Sequence, residues 1–296
     1  MSLQQRLFAF VVIFLIVVIV GMSGGMYRKM HTEIVSGVRQ EVRAVINGNR
    51  IALMYWVAQR RAAIEAIAER LALANDPVPF LIVGKNAGRF DQTFVGYEDK
   101  RIIYHLADKN PPAGYNPTVR PWYIEAEKTR NTIVSQPYIC TSTQQPCITI
   151  ARSVFAKTPS VVGGDISLAE ITLLVNSIQL HNDGYAFLVT RDGKIVAHPQ
   201  PDSALKPVEE VIPGFNAEIL ITADANATPH EFVSEGIPKY MVAASIPGTD
   251  WVLCLVVDRA MVLSPLRYLL GGLLLAGLIV AFLGMPIARS KTQPQG

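Results

Sequence analysis

Apolar positions along this chain change their spacing three times, and each change marks an element boundary. Leu7 to Val20 reads LFAFVVIFLIVVIV, and the run continues through Gly21 and Met22 to the small residues Ser23 to Gly25. That is close to the ~20 residues needed to cross a hydrocarbon core. From Tyr27 to Asn75 the apolar residues retreat to one face. Met30, Ile34, Val38, Val42 and Val45, then Leu53, Trp56, Ile64, Ile67 and Leu71, recur mostly every three to four positions, with arginines and glutamates between them. This is the helical period, and a helix over 27–75 would extend roughly 70 Å at 1.5 Å per residue. It suits a stalk or dimer spine better than a globular core. Asn47-Gly48-Asn49 interrupts the pattern, with room there for a kink or a relaxed turn, and the pattern then resumes.

After Asn75-Asp76-Pro77 the pattern shortens to strand-like runs. QTFVGY and RIIYHL flank the turn Glu98-Asp99-Lys100, and a helix is predicted from Pro121 to Arg130. TIVSQPYI and ITIARSVF form a predicted hairpin, and VVGGDIS ends a strand. Ser167 to Leu180 opens with a capping box, Ser167 followed by Glu170, and reads as a connecting helix. GYAFLVT and KIVAHP pair across Arg191-Asp192-Gly193-Lys194, and HEFVSEG, KYMVAASI and DWVLCLVV complete a second, smaller sheet. Two α/β units in series are thus expected, over 76–180 and 181–258. A return segment, 259–267, leads to a second apolar run, Tyr268 to Ile287, which is charge-free and long enough to span a bilayer.

Residues 7–26 and 268–287 are therefore predicted transmembrane helices. A cleaved signal peptide also suits the first run, but no small-x-small site precedes the helical sequence from Tyr27, so an uncleaved anchor fits better. Arg6 before the first span, and Arg289 and Lys291 after the second, place residues 1–6 and 288–296 in the cytoplasm. Arg28 and Lys29 oppose that assignment, while a long middle region is translocated regardless of charge.

Composition narrows the function classes. A net charge of +3 over 296 residues argues against nucleic acid as the partner. No P-loop, H-E-x-x-H or Rossmann glycine fingerprint occurs, so no enzyme, catalytic residue or cofactor is expected. Cys140 and Cys147 bracket TSTQQP between two β-prone runs. In a hairpin they would face each other as a disulfide; two unpaired small hydrophobes are the alternative. Cys254, in WVLCLVVD, reads as core. The five histidines, 31, 105, 181, 198 and 230, are scattered, and no metal site is expected. The acids Glu125 and Glu127, and Glu209 and Glu210, read as solvated helix faces.

The densest chemistry lies in GYNPTVRPWYIEAEKT, residues 114–129, which places Tyr115, Arg120, Trp122 and Tyr123 beside a proline-rich turn. Arginine offers a planar fork that fits a carboxylate, and aromatics form rigid walls with a polar tip. That is chemistry for a small anionic or zwitterionic ligand. The structural alternative packs Trp122 and Tyr123 on a sheet, pairs Arg120 with an acid, and makes Asp165 a helix cap, although Ser167 can cap in its place.

With RPWY, GGDIS and GYAFLVTRDGKIVAHP in this order, the chain resembles the double Cache sensor region of bacterial transmembrane receptors, which feeds chemoreceptors, histidine kinases and diguanylate cyclases. The resemblance implies an α+β fold of two tandem PAS-like modules on a long N-terminal helix, flanked by two transmembrane helices. It also implies a homodimer in the bacterial cytoplasmic (inner) membrane, with a periplasmic sensor domain and a pocket in the membrane-distal module. Within the family the chain is most similar to the amino-acid-binding subgroup, whose pattern falls here on Tyr115, Arg120, Trp122, Tyr123, Tyr138 and Asp165. By that resemblance Arg120 and Trp122 hold the ligand carboxylate and Asp165 the ammonium, with help from tyrosine hydroxyls. One position departs. A related amine-binding subgroup has an aspartate where Cys140 stands, which disfavours a ligand lacking a carboxylate. The expected function is amino-acid sensing; the same fold serving an organic acid or other metabolite, or a membrane-tethered protein-interaction module, are the alternatives. An output domain would follow Ile287, where ARSKTQPQG stands, so it is expected from a longer chain or a partner.

Overall fold

The computed structural model describes residues 3–262 apart from 107, 156–157, 181–183, 216–217, 219 and 221–229, together with 268, 271, 272 and 275. The expected second span and the tail 288–296 lie outside the described residues but for those four positions, as does His181. The chain divides into two compact units, Met1–Glu41 with Asp258–Gly296, and Val42–Val257. The first unit contains the start of helix α1 and a four-residue helical turn, Arg259–Val262. Among the described residues no helix is long and apolar enough to cross a membrane, so the fold itself establishes neither expected span.

Helix α1 covers Leu3–Leu71 without interruption. No break occurs at Asn47-Gly48-Asn49, where the helix continues and Asn49 Nδ2 donates to the Val45 carbonyl one turn back, at 2.8 Å. In the second unit its buried face is Val42, Ile46, Leu53, Val57, Ile64, Ile67 and Leu71, a repeat of three, four and seven. Trp56 sits half-buried at the edge of this face with the Arg60 guanidinium 3.7 Å above its ring. α1 ends four residues earlier than the periodicity predicts, and α2 (Val78–Gly88) follows, its first N–H held by Asp76 Oδ1.

Two antiparallel sheets follow, both in the second unit. The first contains β1 (Gln92–Tyr97), β2 (Ile102–Tyr104), β3 (Ile133–Val134), β4 (Tyr138–Ile139), β5 (Pro146–Val154) and β6 (Ser160–Ser167), in the order β2-β1-β6-β5-β3 with β4 also on β5. Helix α3 (Pro121–Thr129) lies between β2 and β3 in sequence, and α4 (Leu168–Asn176) follows β6. The second contains β7 (Tyr185–Thr190), β8 (Ile195–Ala197), β9 (His230–Ser234), β10 (Ile237–Ser245) and β11 (Trp251–Asp258), in the order β8-β7-β11-β10-β9. This mixed fold of a long helix and two sheets agrees with the expected α+β class.

Three local readings need correction. TIVSQPYI is not one strand: it breaks into β3 and β4 around Ser135-Gln136-Pro137, because proline has no N–H for the ladder and Ser135 uses both its N–H and its Oγ on Thr149 instead. The capping box is only half made. Ser167 Oγ accepts from the Glu170 N–H, but the Glu170 carboxylate pairs with buried Arg60 at 2.7 Å, and Asp91 takes the Ser167 N–H at 2.6 Å. Cys140 and Cys147 are bridged but not opposite each other: Cys147 pairs with Tyr138 in the ladder, so the bridge runs diagonally.

Candidate ligand-binding site

Asp165 is the centre around which the site is built. It lies on β6, the middle strand, and its two lateral neighbours in the ladder are Gln92 on β1 and Thr149 on β5. Both neighbours serve it: Thr149 Oγ1 donates to Oδ1 and Gln92 Nε2 to Oδ2, each at 2.6 Å. Directions follow from the donor inventory. Thr149 has one proton and spends it on Asp165, so the Tyr138 hydroxyl, 2.7 Å away, donates to Thr149. Lys109 only donates and sits 2.5 Å from Gln92 Oε1, which orients that amide with its NH2 toward Asp165 and Ser142 Oγ.

Asp165 is only 4% exposed, and no cation is bonded to it directly among the described residues. Burial pushes its pKa up to about 6. The bonds from Thr149 and Gln92 resist the shift, Asp91 adds to it, and Lys109 opposes it. A carboxylate taken out of water without a partner cation is costly, and the raised pKa expresses that cost.

The other charged end comes from the proline-rich stretch. Asn116 caps the 3-10 turn Pro117–Val119, its Oδ1 accepting from the Thr118 N–H at 3.0 Å, and Arg120 then leaves the turn extended before Pro121 opens α3. The Arg120 guanidinium lies 5.4 Å from the Tyr138 ring centre, and Nη2 donates to the Ile139 carbonyl at 3.4 Å. Trp122, on the first turn of α3, is buried against Phe94 with ring centres 4.9 Å apart. Glycines make room for these rings. A Cβ at Gly96 would lie 2.8 Å from the Trp122 ring, and one at Gly163 would lie 2.7 Å from Phe94.

Gln92, Phe94, Ile102, Tyr104, Tyr115, Arg120, Trp122, Tyr138, Thr141, Ser142 and Asp165 line one narrow pocket. Burial raises the Tyr115 hydroxyl to about 12, against the Arg120 charge and a Trp122 N–H bond, and it drives the Tyr104 and Tyr138 phenols higher still. All three are neutral donors at physiological pH.

Five of the six residues singled out from the sequence therefore line this pocket: Tyr115, Arg120, Trp122, Tyr138 and Asp165. Tyr123 does not. Neighbours on a helix point about 100° apart, and its ring turns into the core beside Trp122, Ala126 and Ile133. Gln92, Thr149, Lys109 and Ser142 went unnoticed in the sequence. The available signal was a glutamine opening an apolar strand and a threonine inside ITI. Cys140, Cys147 and Asp165 bring three potential metal ligands together, but both sulfurs are spent on the bridge.

A long helix, two antiparallel sheets and a lined pocket define the class of fold, and the comparisons say which family it is. The Cache domain profile matches residues 30–266, so the chain belongs to the Cache domain family. It is 30% identical over 249 residues to the methyl-accepting chemotaxis protein PctB of Pseudomonas aeruginosa, covering 81% of this chain and 39% of that protein. PscA of Pseudomonas syringae pv. tomato is 26% identical over 232 residues, covering 76% and 36%. The chain thus spans well under half the length of these relatives. Among solved structures, the PctB ligand-binding domain in complex with L-Arg has a TM-score of 0.65 at 27% identity, covering 77% of this chain and 92% of that one. The ligand-binding domain of the Pseudomonas fluorescens chemoreceptor CtaA with L-isoleucine has a TM-score of 0.63 at 25% identity, covering 77% and 97%.

Proposed function

We propose that this chain is the extracytoplasmic sensing region of a bacterial chemoreceptor-type membrane protein, and that it binds a free amino acid in the pocket of its first sheet. The observation that carries this reading is a buried carboxylate with two neutral donors and, among the described residues, no bonded cation, in the same pocket as an arginine fork. An α-amino acid carries opposite charges one carbon apart, so a site for it needs both, with rigid neutral groups between. Asp165 takes the ammonium. Arg120 and the Trp122 indole take the carboxylate, and the Tyr115 and Tyr138 hydroxyls stand between them. Tyr123 supports the site by holding Trp122 in place. That PctB and CtaA domains were solved with amino acids supports the same ligand class here.

The apolar runs 7–26 and 268–287 are the two membrane spans, and α1 is the spine of a homodimer. Ligand binding favours one arrangement of the module and shifts the spine or second span by ~1–2 Å, a change of population rather than a reaction. The output belongs to a longer chain or a partner.

The test is a thermal-shift screen of the purified chain in detergent micelles against the twenty L-amino acids, simple amines and small organic acids. A ligand that binds only the folded state adds about 2.7 kcal/mol at a hundredfold excess over Kd. Stabilisation by amino acids, absent with their amine or acid fragments, is the expected outcome. A response to organic acids alone would replace the amino-acid reading, and no response at all would favour a protein-interaction module.

A further inference from the structure

Strand β4 is two residues long and is held to β5 at only two paired positions, Tyr138 to Cys147 and Ile139 to Pro146. So short an edge strand is marginal on its own hydrogen bonds. Yet β4 and the loop after it reach both charged ends of the pocket. The Ile139 carbonyl accepts from Arg120, and the Tyr138 ring lies beneath the same guanidinium. The Tyr138 hydroxyl continues through Thr149 to Asp165. Thr141 and Ser142 line the pocket, and Ser142 Oγ accepts from Gln92 Nε2 at 2.7 Å.

What anchors this segment is covalent. The Cys140–Cys147 bridge ties the residue after β4 to the start of β5, across a separation of 7 residues. The Cys140 sulfur lies 3.3 Å from Asp165 Oδ2. A bridged sulfur has no proton to donate, so this is packing contact that shields one side of the carboxylate. The rest of the sheet has contacts of its own. β5 pairs with β6 at eight positions, and the core cluster under α3 contains neither cysteine.

We propose that the Cys140–Cys147 disulfide is a positioning element of the amino-acid pocket: it holds Tyr138, the Ile139 carbonyl and Ser142 against Arg120, Asp165 and Gln92, so that opening it weakens binding while the sheet stays folded. The inference rests on the amino-acid reading above. Its physical basis is preorganisation, since every side chain freed before binding must be ordered again on binding. With three such groups released, affinity should fall roughly tenfold, or about 1.4 kcal/mol.

The test uses the full chain in detergent micelles and whichever of the twenty L-amino acids stabilises it most. That amino acid is titrated calorimetrically into the oxidised chain, the chain reduced by a water-soluble phosphine, and the Cys140→Ala/Cys147→Ala variant. In the reduction the phosphine becomes its oxide, and water supplies the oxygen and the two thiol protons. The expected result is affinity weakened roughly tenfold in both opened forms, with a cooperative melt retained in each. Affinity should return when oxidised glutathione, itself reduced to two glutathione thiols, re-forms the bridge. Unchanged affinity in the opened forms overturns this inference and leaves the amino-acid reading standing. Loss of the cooperative melt also overturns it, since the bridge would then hold the module rather than the pocket. No binding to the oxidised chain defeats the amino-acid reading and this inference together.

Discussion

Apart from the extra strand β4 the two sheets have the same strand order, with the first hairpin at one side and the last strand pairing back onto the first, yet the first lines a pocket and the second carries a buried apolar cluster. Their registers can be laid side by side. Gln92 faces Asp165 where Tyr185 faces Val256, and Phe94 faces Gly163 where Phe187 faces Cys254. The inner strand of the first sheet thus has Gly163, Gly164 and Asp165 where the second has Cys254, Leu255 and Val256, all three buried. Among the described residues, buried apolar side chains pack along the middle of the second sheet. In the first, two glycines let Phe94 and Phe90 lean over the strand, and the next residue is a carboxylate instead of a methyl group. The architecture is neutral about function. On this one strand the two sheets differ at three successive residues.

The sharpest way to break this comparison is Asp165→Val, which installs the residue that the second sheet has at the matching register. Amino-acid binding should fall more than a hundredfold, about 3 kcal/mol, because the ammonium loses its buried partner. A calorimetric titration beside a melting curve checks that the fold survives. Retained binding would show that Asp165 is only structural. Next in size, Arg120→Ala should weaken binding by about 2 kcal/mol, in the range of a hydrogen bond to a charged group. Arg120→Lys should recover little of it, since a point charge does not replace the planar fork.

A smaller effect comes from pH. The pKa of Asp165 stands at about 6, above the ordinary carboxylate range, so the folded protein holds a proton that the unfolded chain has released. Its contribution to stability is therefore fully present below pH ~4 and is lost as the pH rises through about 6. Affinity runs the other way. The ammonium needs the ionised form, so binding should be level above pH ~6 and weaken by up to about tenfold per unit below it. Melting curves and titrations at pH 5, 6 and 7.5 should show these opposed trends, and parallel trends would remove Asp165 from the account.

Packing changes should separate the two sheets most finely. Gly163→Ala pushes a Cβ to 2.7 Å from the Phe94 ring and should cost about 1–3 kcal/mol of stability, with a modest loss of affinity. Cys254→Ala, at the matching register in the second sheet, should cost about 1 kcal/mol and leave affinity unchanged, since only a sulfur is lost from an apolar core. An affinity change in this last variant would mean that the second sheet helps to form the site.

The sequence by itself determined the elements whose cause is local. The three-to-four spacing is what makes α1 a helix, and alternation with turn residues marks both hairpins. Tyr115, Arg120 and Trp122 were legible because one turn and one helix start bring them together within eight residues. Tertiary structure decided everything that depends on a neighbouring strand. Gln92 and Thr149 reach Asp165 from positions 73 and 16 residues away in the chain, purely through register. Arg60 draws Glu170 out of its cap across 110 residues. Tyr123 turns inward because the helix packs on the sheet by one face only. Local propensity reads the next few bonds, but a buried charge is satisfied by whatever the fold brings beside it, and spacing along the chain does not encode that directly.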